Sequence, residues 1–476
     1  MDKEFARVDR IRIRDPNSTA IQRKTLTRYQ KSDIEAFLSD PSRNEQQLRD
    51  ASLYLSNISN EYRRLIAYYA NMPTYAHIIK PLSIDTAKAD KDKFKAQYLK
   101  VKRRLEVMSI PHEFNKVLNI AFRDDIFYGY VHETKDSFVI QPLDARYCMI
   151  TSIVDGVFCF AWDSSYFARD ESLLEYYPDE FRVAYDEYKT DSRNKRWFNF
   201  DPLHTICIKI NETEFTPIPP LVSLFSTLLD IEDYRAIAKN ANEISNYKVL
   251  ALKMPVDKDG ELMLPKSLCE EAFTRLAAQL PKGIGVTLTP LEITEWKFEQ
   301  GGSLKETNLV STATDMFWNG AGVSGLLFGI GDNPSAAALN LSIKSDEDIV
   351  FRVLRQLERW VNFRLKKMTG AYKFQIRFLD MTRYSQQDAI NTYSKMGQYG
   401  MPVRMSLMAA GGYSPSETED MAFMENEMLE LYANEIPLQS SNTISGEVGR
   451  PTNESKGEGL TDSGEETQEN DTNNEN

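Results

Sequence analysis

The sequence predicts a predominantly helical α+β protein, and three features of its pattern lead to this fold class. Residues 303–370 have the pattern of a helix, a short break and a second, much longer helix. Residues 127–162 contain short runs with a period of two, which is typical of β-strands. Between these regions, one helical pattern at 221–244 leads into a small insert, and another at 303–320 leads back out of it.

The composition is that of an ordinary globular protein. The chain has 476 residues, of which 42% are hydrophobic and 27% charged, and this length allows two or three domains. No apolar run approaches the roughly 20 residues that cross a bilayer, and the N-terminus lacks the apolar segment of a signal peptide. We therefore expect an intracellular protein with no membrane partner.

Much of the negative charge lies near the C-terminal end. The formal net charge is −13, and residues 445–476 contain nine acidic residues against Arg450 and Lys456. The rest of the chain is then only mildly acidic, with a net charge of about −6. Such a surface does not favour tight binding of nucleic acid through neutralised phosphates, although it allows nucleic acid to slide past.

The first half of the chain predicts an α+β region. Residues 1–44 are polar and basic and are expected to form a peripheral arm. Apolar residues at steps of three and four predict helices, whose ranges are 45–71, 90–108 and 111–124. A further helical stretch at 172–188 lies among predicted strands at 127–132, 137–143, 147–153, 157–162, 196–200 and 204–210. Asp155-Gly156 predicts a tight hairpin turn between two of these strands.

The middle of the chain predicts two helices that carry a small unit between them. A proline-rich joint at 217–220 precedes the helix at 221–244. The insert has the pattern strand, helix, strand, strand, with the ranges 248–254, 266–279, 283–288 and 292–299. The return helix begins with a capping box, in which the Ser303 and Glu306 side chains satisfy free backbone N–H groups.

The last third of the chain is predicted to be mainly helical. The long helix is expected to run from Ser335 to Gly370, which is roughly 50 Å if it is unbroken. A strand and three helices are predicted after it, at 373–378, 385–396, 402–410 and 414–434. Residues beyond Pro437 include almost no apolar side chains and are expected to be disordered.

A search for catalytic and cofactor-binding motifs is negative. The sequence contains no GxxxxGK[ST] phosphate loop, no HExxH zinc motif and no GxSxG nucleophile turn. The glycine-rich segment around 325–331 follows a helix rather than a strand, so we interpret it as a change of chain direction. We therefore expect no cofactor, no metal and no enzymatic activity. An enzyme whose site is assembled from distant residues remains the alternative.

Isolated titratable residues are interpreted as structural. The four histidines are far apart, and the four cysteines form no CxxC pair, so buried reduced thiols are expected rather than a zinc site. The run Asp346-Glu347-Asp348 is expected near the start of a helical turn that begins at Ser345, where negative charge favours the helix dipole. A metal site is the alternative interpretation of this acidic run.

Four short segments and the order of elements over 45–435 have counterparts in a known family. The segments are Phe127-Tyr128-Gly129-Tyr130, Phe138–Asp144, Leu326–Ile330 before Asn333-Pro334-Ser335, and Gly411–Glu417. Together they resemble the portal (head-to-tail connector) proteins of tailed double-stranded DNA bacteriophages, of the siphovirus type. The element order contributes more to this resemblance than the short segments do.

The resemblance implies a ring of subunits, expected to be a dodecamer, and a division of each subunit into parts. These parts are an N-terminal arm (1–44), a wing (45–216), a stem helix (217–245), a clip (246–300), a second stem helix (301–327), a tunnel loop (328–336), a long kinked helix with a return to the wing (337–399), a crown (400–436) and a disordered acidic tail (437–476). The ring would lie at one capsid vertex of the virion after assembly in the host cytoplasm.

The resemblance also implies a role in viral genome packaging and ejection. Double-stranded DNA would pass through the central channel of the ring. The implied partners are the terminase large subunit, the head–tail adaptor, and the major capsid and scaffolding proteins. The family has no ATPase of its own, which agrees with the missing phosphate loop. Another virion structural protein, such as a head-completion or minor capsid protein, is the alternative.

Candidate channel residues follow from the implied parts. A channel must not hold DNA, because each neutralised phosphate adds affinity, so few cationic positions are expected. Lys239 and Lys305 are the candidates on the stem helices, and an ordinary solvated lysine is the alternative for each. The candidates in the tunnel loop, where glycine and proline allow an irregular backbone, are Gly329, Gly331, Asp332, Asn333, Pro334 and Ser335.

Overall fold

The structure is an α+β arrangement in which helices predominate, as the sequence predicts. It is a computed structural model that describes residues 29–85, 87–245, 248–253, 257, 263–279, 284–289, 296–297, 303–328 and 336–431. The chain divides into two compact units, Met1–Ser416 and Glu417–Asn476. All of the sheets and hydrophobic cores considered below belong to the first unit.

Helices form most of the described chain. The helices up to the insert are α1 (Lys31–Leu38), α2 (Glu45–Ile58), α3 (Asn60–Asn71), α4 (Lys91–Val107), α5 (Ile110–Asp124), α6 (Asp179–Thr190) and α7 (Phe225–Ser245). The later helices are α8 (Lys266–Gln279), α9 (Ser303–Ala321), α10 (Ala336–Lys366), α11 (Gln386–Gln398), α12 (Arg404–Ala410) and α13 (Pro415–Phe423). The 3₁₀ turn Glu171–Tyr176 precedes α6, and the 3₁₀ turn Val222–Leu224 precedes α7. A further 3₁₀ turn, Gly325–Phe328, follows α9.

The strands form four small sheets in the described residues. They are β1 (His77–Pro81), β2 (Ile126–Glu133), β3 (Phe138–Pro142), β4 (Cys148–Val154), β5 (Val157–Asp163), β6 (Trp197–Asn199), β7 (Thr205–Lys209), β8 (Lys248–Lys253), β9 (Ile284–Thr289), β10 (Trp296–Lys297) and β11 (Phe374–Phe378). The strand orders are β1-β11, β3-β2-β7, β4-β5-β6 and β10-β8-β9. Only β8 and β9 pair in parallel within these sheets, because α8 connects them.

Helix α10 lies in the main hydrophobic core. Its residues Val350, Leu357, Trp360 and Val361 are buried, and the helix packs against α3, β7 and β11. Trp360 Nε1 donates a 2.8 Å hydrogen bond to the carbonyl oxygen of Thr205. With 31 residues and a rise of about 1.5 Å per residue, α10 is about 46 Å long. This length is close to the one expected from the sequence.

A buried polar contact holds β7 against α10. Gln356 Nε2 donates to the Lys209 carbonyl oxygen at 2.6 Å, and the Lys209 backbone N–H donates to Gln356 Oε1 at 3.2 Å. Lys209 Nζ also forms an ion pair with Asp125, and both of these side chains are buried. Burial raises the pKa of the Asp125 carboxyl group, although the contact with Lys209 opposes this shift.

The hairpin predicted at Asp155-Gly156 is present between β4 and β5. Both residues have positive φ angles, of 50° and 77°, as a two-residue turn between twisted strands requires. Arg359 Nη1 donates to the Gly156 carbonyl oxygen at 3.0 Å, and Lys366 forms a 2.7 Å ion pair with Asp155. The turn is therefore fixed against the C-terminal half of α10.

The predicted helix over 45–71 is wrong in one respect, because the structure divides it into α2 and α3 at Ser59. Ser59 has an extended backbone, and its Oγ accepts a hydrogen bond from the Tyr62 N–H. A serine in this position caps the following helix and ends the preceding one. The apolar steps of three and four continue across the break, so the periodicity alone did not reveal it.

Two elements were not predicted from the sequence. Helix α1 lies within the segment expected to be a peripheral arm, yet its Ile34 is completely buried. Strand β1 pairs with β11, about 300 residues later, in a register that places His77 opposite Phe378. Both elements depend on contacts with distant parts of the chain, which local patterns do not report.

Candidate functional site

Helices α7 and α9 form an antiparallel pair, called the helix pair below. They pack against each other, and a Cβ atom added at Gly320 would lie 3.2 Å from Leu224 Cδ2. Gly320 is near the C-terminal end of α9, whereas Leu224 directly precedes α7. The beginning of one helix therefore lies beside the end of the other, as the helix–insert–helix pattern predicts.

Burial shows that the helix pair leaves the hydrophobic core. In α7, apolar side chains are buried as far as Ile231, whereas Ile237 is 52% exposed. In α9, Phe317 and Ala313 are buried, whereas Leu309, one turn further from the base, is 45% exposed. From Ile231 to the end of α7 the chain advances by about 21 Å. The pair thus extends away from the core and carries the insert at its far end.

Ion pairs fix the base of α7 to helices α1 and α3. Arg235 Nη2 lies 2.6 Å from Glu61 Oε1 of α3, and Lys31 Nζ of α1 lies 2.8 Å from Asp230 Oδ2. Burial alone would raise the pKa of Glu61, but the hydrogen bonds to its carboxylate, above all from Arg235, outweigh it and lower that pKa. The charged form of Glu61 is therefore favoured by the fold.

The described part of the insert is a small α/β unit. Lys248 of β8 is opposite Ile284 of β9, and Val249 of β8 is opposite Trp296 of β10. This arrangement agrees with the predicted strand-helix-strand-strand pattern. Large apolar side chains are exposed at and before the start of α8, with exposed fractions of 66%, 43% and 51% for Met263, Leu264 and Leu268.

The candidate channel residues are only partly described. Lys239 is exposed on α7, beyond the point at which the helix leaves the core. Lys305 belongs to the first turn of α9, but its side chain lies outside the described residues. The remaining candidates lie outside the described residues altogether; they are Gly329, Gly331, Asp332, Asn333, Pro334 and Ser335.

Phe328, the first residue of the candidate tunnel loop, is held by aromatic and cationic contacts. Its ring stacks on that of Trp318, with the centroids 4.0 Å apart. The Arg64 guanidinium lies over the Phe328 ring at 5.1 Å from its centroid, and the Tyr68 ring meets it edge-on at 5.8 Å. The chain therefore enters the loop from a fixed position between α3 and α9.

The acidic run at 346–348 is not where the sequence suggested. Helix α10 begins at Ala336, so Asp346 lies near the end of its third turn and does not interact with the helix N-terminus. The Asp346 carboxylate is buried and accepts hydrogen bonds from the hydroxyls of Tyr68 at 3.0 Å and Tyr69 at 3.4 Å. Burial raises the pKa of the Asp346 carboxyl group, and this effect outweighs the two hydrogen bonds, which lower the pKa. The helix-dipole interpretation of this run was therefore wrong.

Glu347 is likewise buried and bound to hydroxyl groups. Its carboxylate accepts hydrogen bonds from Thr382 Oγ1 and, at 2.7 Å, from Ser385 Oγ. Across the described residues, no group of three histidine, cysteine, aspartate or glutamate side chains is arranged to hold a metal ion. The two carboxylates join α10 to α3 and to the segment after β11.

The histidines are bound to other groups of the protein rather than to each other. Nδ1 of His77 lies 3.0 Å from the Tyr75 carbonyl oxygen, and Nε2 of His132 lies 2.7 Å from Gln141 Oε1. Burial lowers the pKa of both imidazoles. His204 lies 3.2 Å from Glu180. These contacts agree with the structural interpretation of the histidines.

The cysteines are buried free thiols, as expected. All four are unpaired with one another, and burial raises the pKa of the Cys148, Cys159 and Cys207 thiols. A raised pKa disfavours the thiolate, which is the nucleophilic form of cysteine.

A cleft in the described part of the chain is a poor candidate for a catalytic site. It has a volume of about 970 Å³ and lies between α4, the end of α10 and the β2–β3 hairpin. Its most buried charged group is Arg364, which forms an ion pair with Glu133, and Arg104 binds the same carboxylate. Burial lowers the pKa of Arg364. Both arginines contact the same oxygen of the Glu133 carboxylate, and the three charged groups provide no nucleophile with an adjacent base.

No helix among the described residues is both long enough and apolar enough to cross a membrane.

Comparisons with known proteins give structural similarities only. No protein-family model and no curated protein matches the chain. A chain of the virion of a native gene transfer agent particle is similar at 12% identity and a TM-score of 0.44, over 75% of this chain and 90% of that one. A chain of the neck of the native particle, computed with C12 symmetry, is similar at 14% identity and a TM-score of 0.43, over 77% and 93%.

A crystal structure of an HK97 family phage portal protein from Corynebacterium diphtheriae is also similar. The identity is 9% and the TM-score 0.32, over 71% of this chain and 96% of that chain. A phage portal protein is thus among the solved structures to which the chain is similar, and this is the family that the sequence resembles.

Proposed function

We propose that the chain is the subunit of a phage portal, a ring at one capsid vertex through which double-stranded DNA is packaged and ejected. In this proposal the helix pair is the stem, the insert is the clip, and the region from 45 to 216 is the wing. Residues 337–399 supply the long helix and the return to the wing, and residues 400–436 the crown. The proposed ring is a dodecamer of the virion, assembled in the host cytoplasm.

The helix pair is the observation that carries this proposal. Two antiparallel helices leave a hydrophobic core and hold a small α/β unit away from it. When several copies surround one axis, the helix pairs line a channel while the insert remains accessible to other proteins. None of the described clusters of ionisable residues offers a competing catalytic arrangement.

The charge of the chain fits passage of DNA rather than tight binding. Twelve copies with a formal charge of −13 each form an acidic ring, which repels phosphate from most of its surface. We propose that Lys239 and Lys305 supply a small number of cationic positions in the stem. Loop residues 328–336 are proposed to approach the DNA most closely. Phe328, the first of them, is fixed against Trp318 of α9.

The insert is the proposed docking site for the terminase large subunit during packaging and for the head–tail adaptor afterwards. Met263, Leu264 and Leu268 expose apolar surface there, and exposed apolar groups that lie close together mark protein interaction sites. The major capsid and scaffolding proteins are proposed to contact the wing instead. The terminase would supply the ATPase activity for which this sequence has no phosphate loop.

The mass of the purified protein in solution tests the proposal. Size-exclusion chromatography with light scattering should give an assembly of about 655 kDa, which is twelve times the chain mass of 54.6 kDa. Residues 248–299 replaced by a short Gly-Ser linker should leave the number of copies at twelve, with a mass lower by about a tenth, but should abolish binding of the purified packaging ATPase. A chain that stays monomeric at all concentrations contradicts the proposal.

A further inference from the structure

Strand β4 is an edge strand that carries a β-bulge between Ile150 and Ser152, but it has none of the charged or proline residues that normally protect an edge. It contains no charged residue, proline or glycine, and Met149, Ile153 and Val154 are 46%, 56% and 41% exposed. In the described part of the chain, the backbone groups of residues 149–154 bond only to β5. Soluble proteins cover such an edge or place charges on it, because it otherwise pairs with other strands.

The opposite edge of the same sheet is also open. The strand order is β4-β5-β6, so β6 ends the sheet on the other side. Trp197 of β6 is 37% exposed and Asn199 is exposed as well. Within the described residues, the backbone of residues 197–199 bonds only to β5. One small sheet thus has two different unpaired edges.

We propose that β4 of one copy pairs with β6 of the next copy, so that the sheet continues between neighbouring subunits of the assembly. The inference rests on the ring proposed above and identifies one of its contacts. A ring with cyclic symmetry needs a head-to-tail contact between two different surfaces of the same chain. The two edges of this sheet are such surfaces, because each offers unpaired N–H and C=O groups to the other.

The chemistry of β4 favours a strand of another copy over other partners. An uncharged strand offers nothing that neutralises the phosphates of a nucleic acid. Its exposed apolar side chains, Met149, Ile153 and Val154, suit burial against apolar groups such as the Trp197 ring. The other two exposed residues, Thr151 and Ser152, are small and uncharged. Since β6 belongs to the same chain, every copy brings both halves of the contact.

Two single substitutions and one matched control test the contact. Ile153→Lys places a charge on the β4 edge, and Trp197→Lys places one on the β6 edge. Val183→Lys, on the exposed side of α6, is the control, because Val183 is 53% exposed and Ile153 is 56% exposed. All three positions are solvent-accessible, so the unassembled fraction of each variant should keep the thermal unfolding midpoint of the unassembled wild-type chain.

The proposal predicts a specific result when the variants are mixed. Each of the two edge variants alone should lower the fraction of assembled protein about tenfold or more at a fixed concentration, whereas the control should assemble like the wild type. An equimolar mixture of Ile153→Lys and Trp197→Lys should form dimers but no larger assembly. In such a dimer, the intact β4 of one variant meets the intact β6 of the other.

Hydrogen exchange distinguishes failure of this contact from failure of the ring. Amides of residues 149–154 should exchange more slowly in the assembled wild-type fraction than in the subunit fraction. Assemblies in which these amides exchange at the subunit rate, or in which both edge variants assemble normally, overturn the strand contact but leave the ring proposal intact. A wild-type chain that never assembles overturns both.

Discussion

The ring of Phe328 stacks face to face on that of Trp318, with the centroids 4.0 Å apart and the ring planes 17° apart. The stack joins the Gly325–Phe328 turn to helix α9, and Arg64 covers the ring of Phe328 at 5.1 Å. Because α9 belongs to the helix pair and Arg64 to α3, the contact connects three elements at the base of the pair.

Phe328→Ala should lower the free energy of unfolding by about 1–3 kcal/mol. The substitution removes a partly buried aromatic ring, its stacking contact and its interaction with the Arg64 cation. Urea denaturation measures the change. Phe215→Ala is the control, because the Phe215 side chain is 78% exposed, and its effect should stay within about 0.5 kcal/mol. Equal stability of both variants would show that the stack contributes nothing.

Asp346→Asn should be at least as stable as the wild type at neutral pH. Burial raises the pKa of Asp346 above its usual value of 3.8, so the fold favours the neutral carboxyl group. The wild type therefore loses stability as the pH rises through the raised pKa, whereas the amide variant does not. Unfolding curves at several pH values should show the advantage of the variant shrinking towards acid pH.

Asp346→Ala provides the control for hydrogen bonding. This variant leaves the hydroxyls of Tyr68 and Tyr69 without their acceptor, and an unpaired buried hydroxyl costs about 1–3 kcal/mol. It should therefore be less stable than Asp346→Asn at every pH. An alanine variant that matches the asparagine variant would mean that the two tyrosines do not depend on this carboxylate.

The contact between Glu61 and Arg235 should give the opposite pH dependence. The pKa of Glu61 is lowered below its usual value of 4.5, so its contribution to stability is present above that pH and is lost as the pH falls through the lowered pKa. Glu61→Gln should therefore be destabilised at pH 7 and should approach the wild type as the pH falls through the lowered pKa. The difference in unfolding free energy between the two proteins measures this. A difference that does not change with pH would contradict the assignment.

Lys209→Met should be strongly destabilising, by about 3–5 kcal/mol, because it leaves the Asp125 carboxyl group buried without its partner. The double variant Lys209→Met with Asp125→Asn should recover much of this loss. Asparagine tolerates the positive φ angle of 70° at position 125, so the second change adds little backbone strain. Chemical denaturation of the two single variants and the double variant gives the coupling energy. Additive effects would contradict a direct pair.

Much of the architecture could be predicted from local patterns. The Asp155-Gly156 turn, the strands around it and the helix–insert–helix arrangement follow from periodicity and turn chemistry, which act over a few residues. The break at Ser59 was missed because the apolar period continues through it. Strand β1 and helix α1 were missed because β11 and α7, against which they pack, lie far away in sequence.

The candidate site was less predictable than the fold. An exposed Lys239 follows from the polar face of a helix, but its position relative to a channel depends on other copies. The acidic run at 346–348 was misinterpreted as lying at the start of a helical turn, although α10 begins well before it, at Ala336. The hydroxyl partners of the run come from α3 and from the segment after β11, which a local pattern does not report. The loop candidates between Gly329 and Ser335 lie outside the described residues and remain predictions.

Electron microscopy of the purified, assembled chain tests the central claim most directly. A reconstruction should show a closed ring with a central hole wide enough for a DNA duplex, bordered by the α7–α9 pairs of all copies, with the inserts together at one end. A ring in which these pairs face outwards, or particles with no central opening, would contradict a DNA channel built from the helix pair.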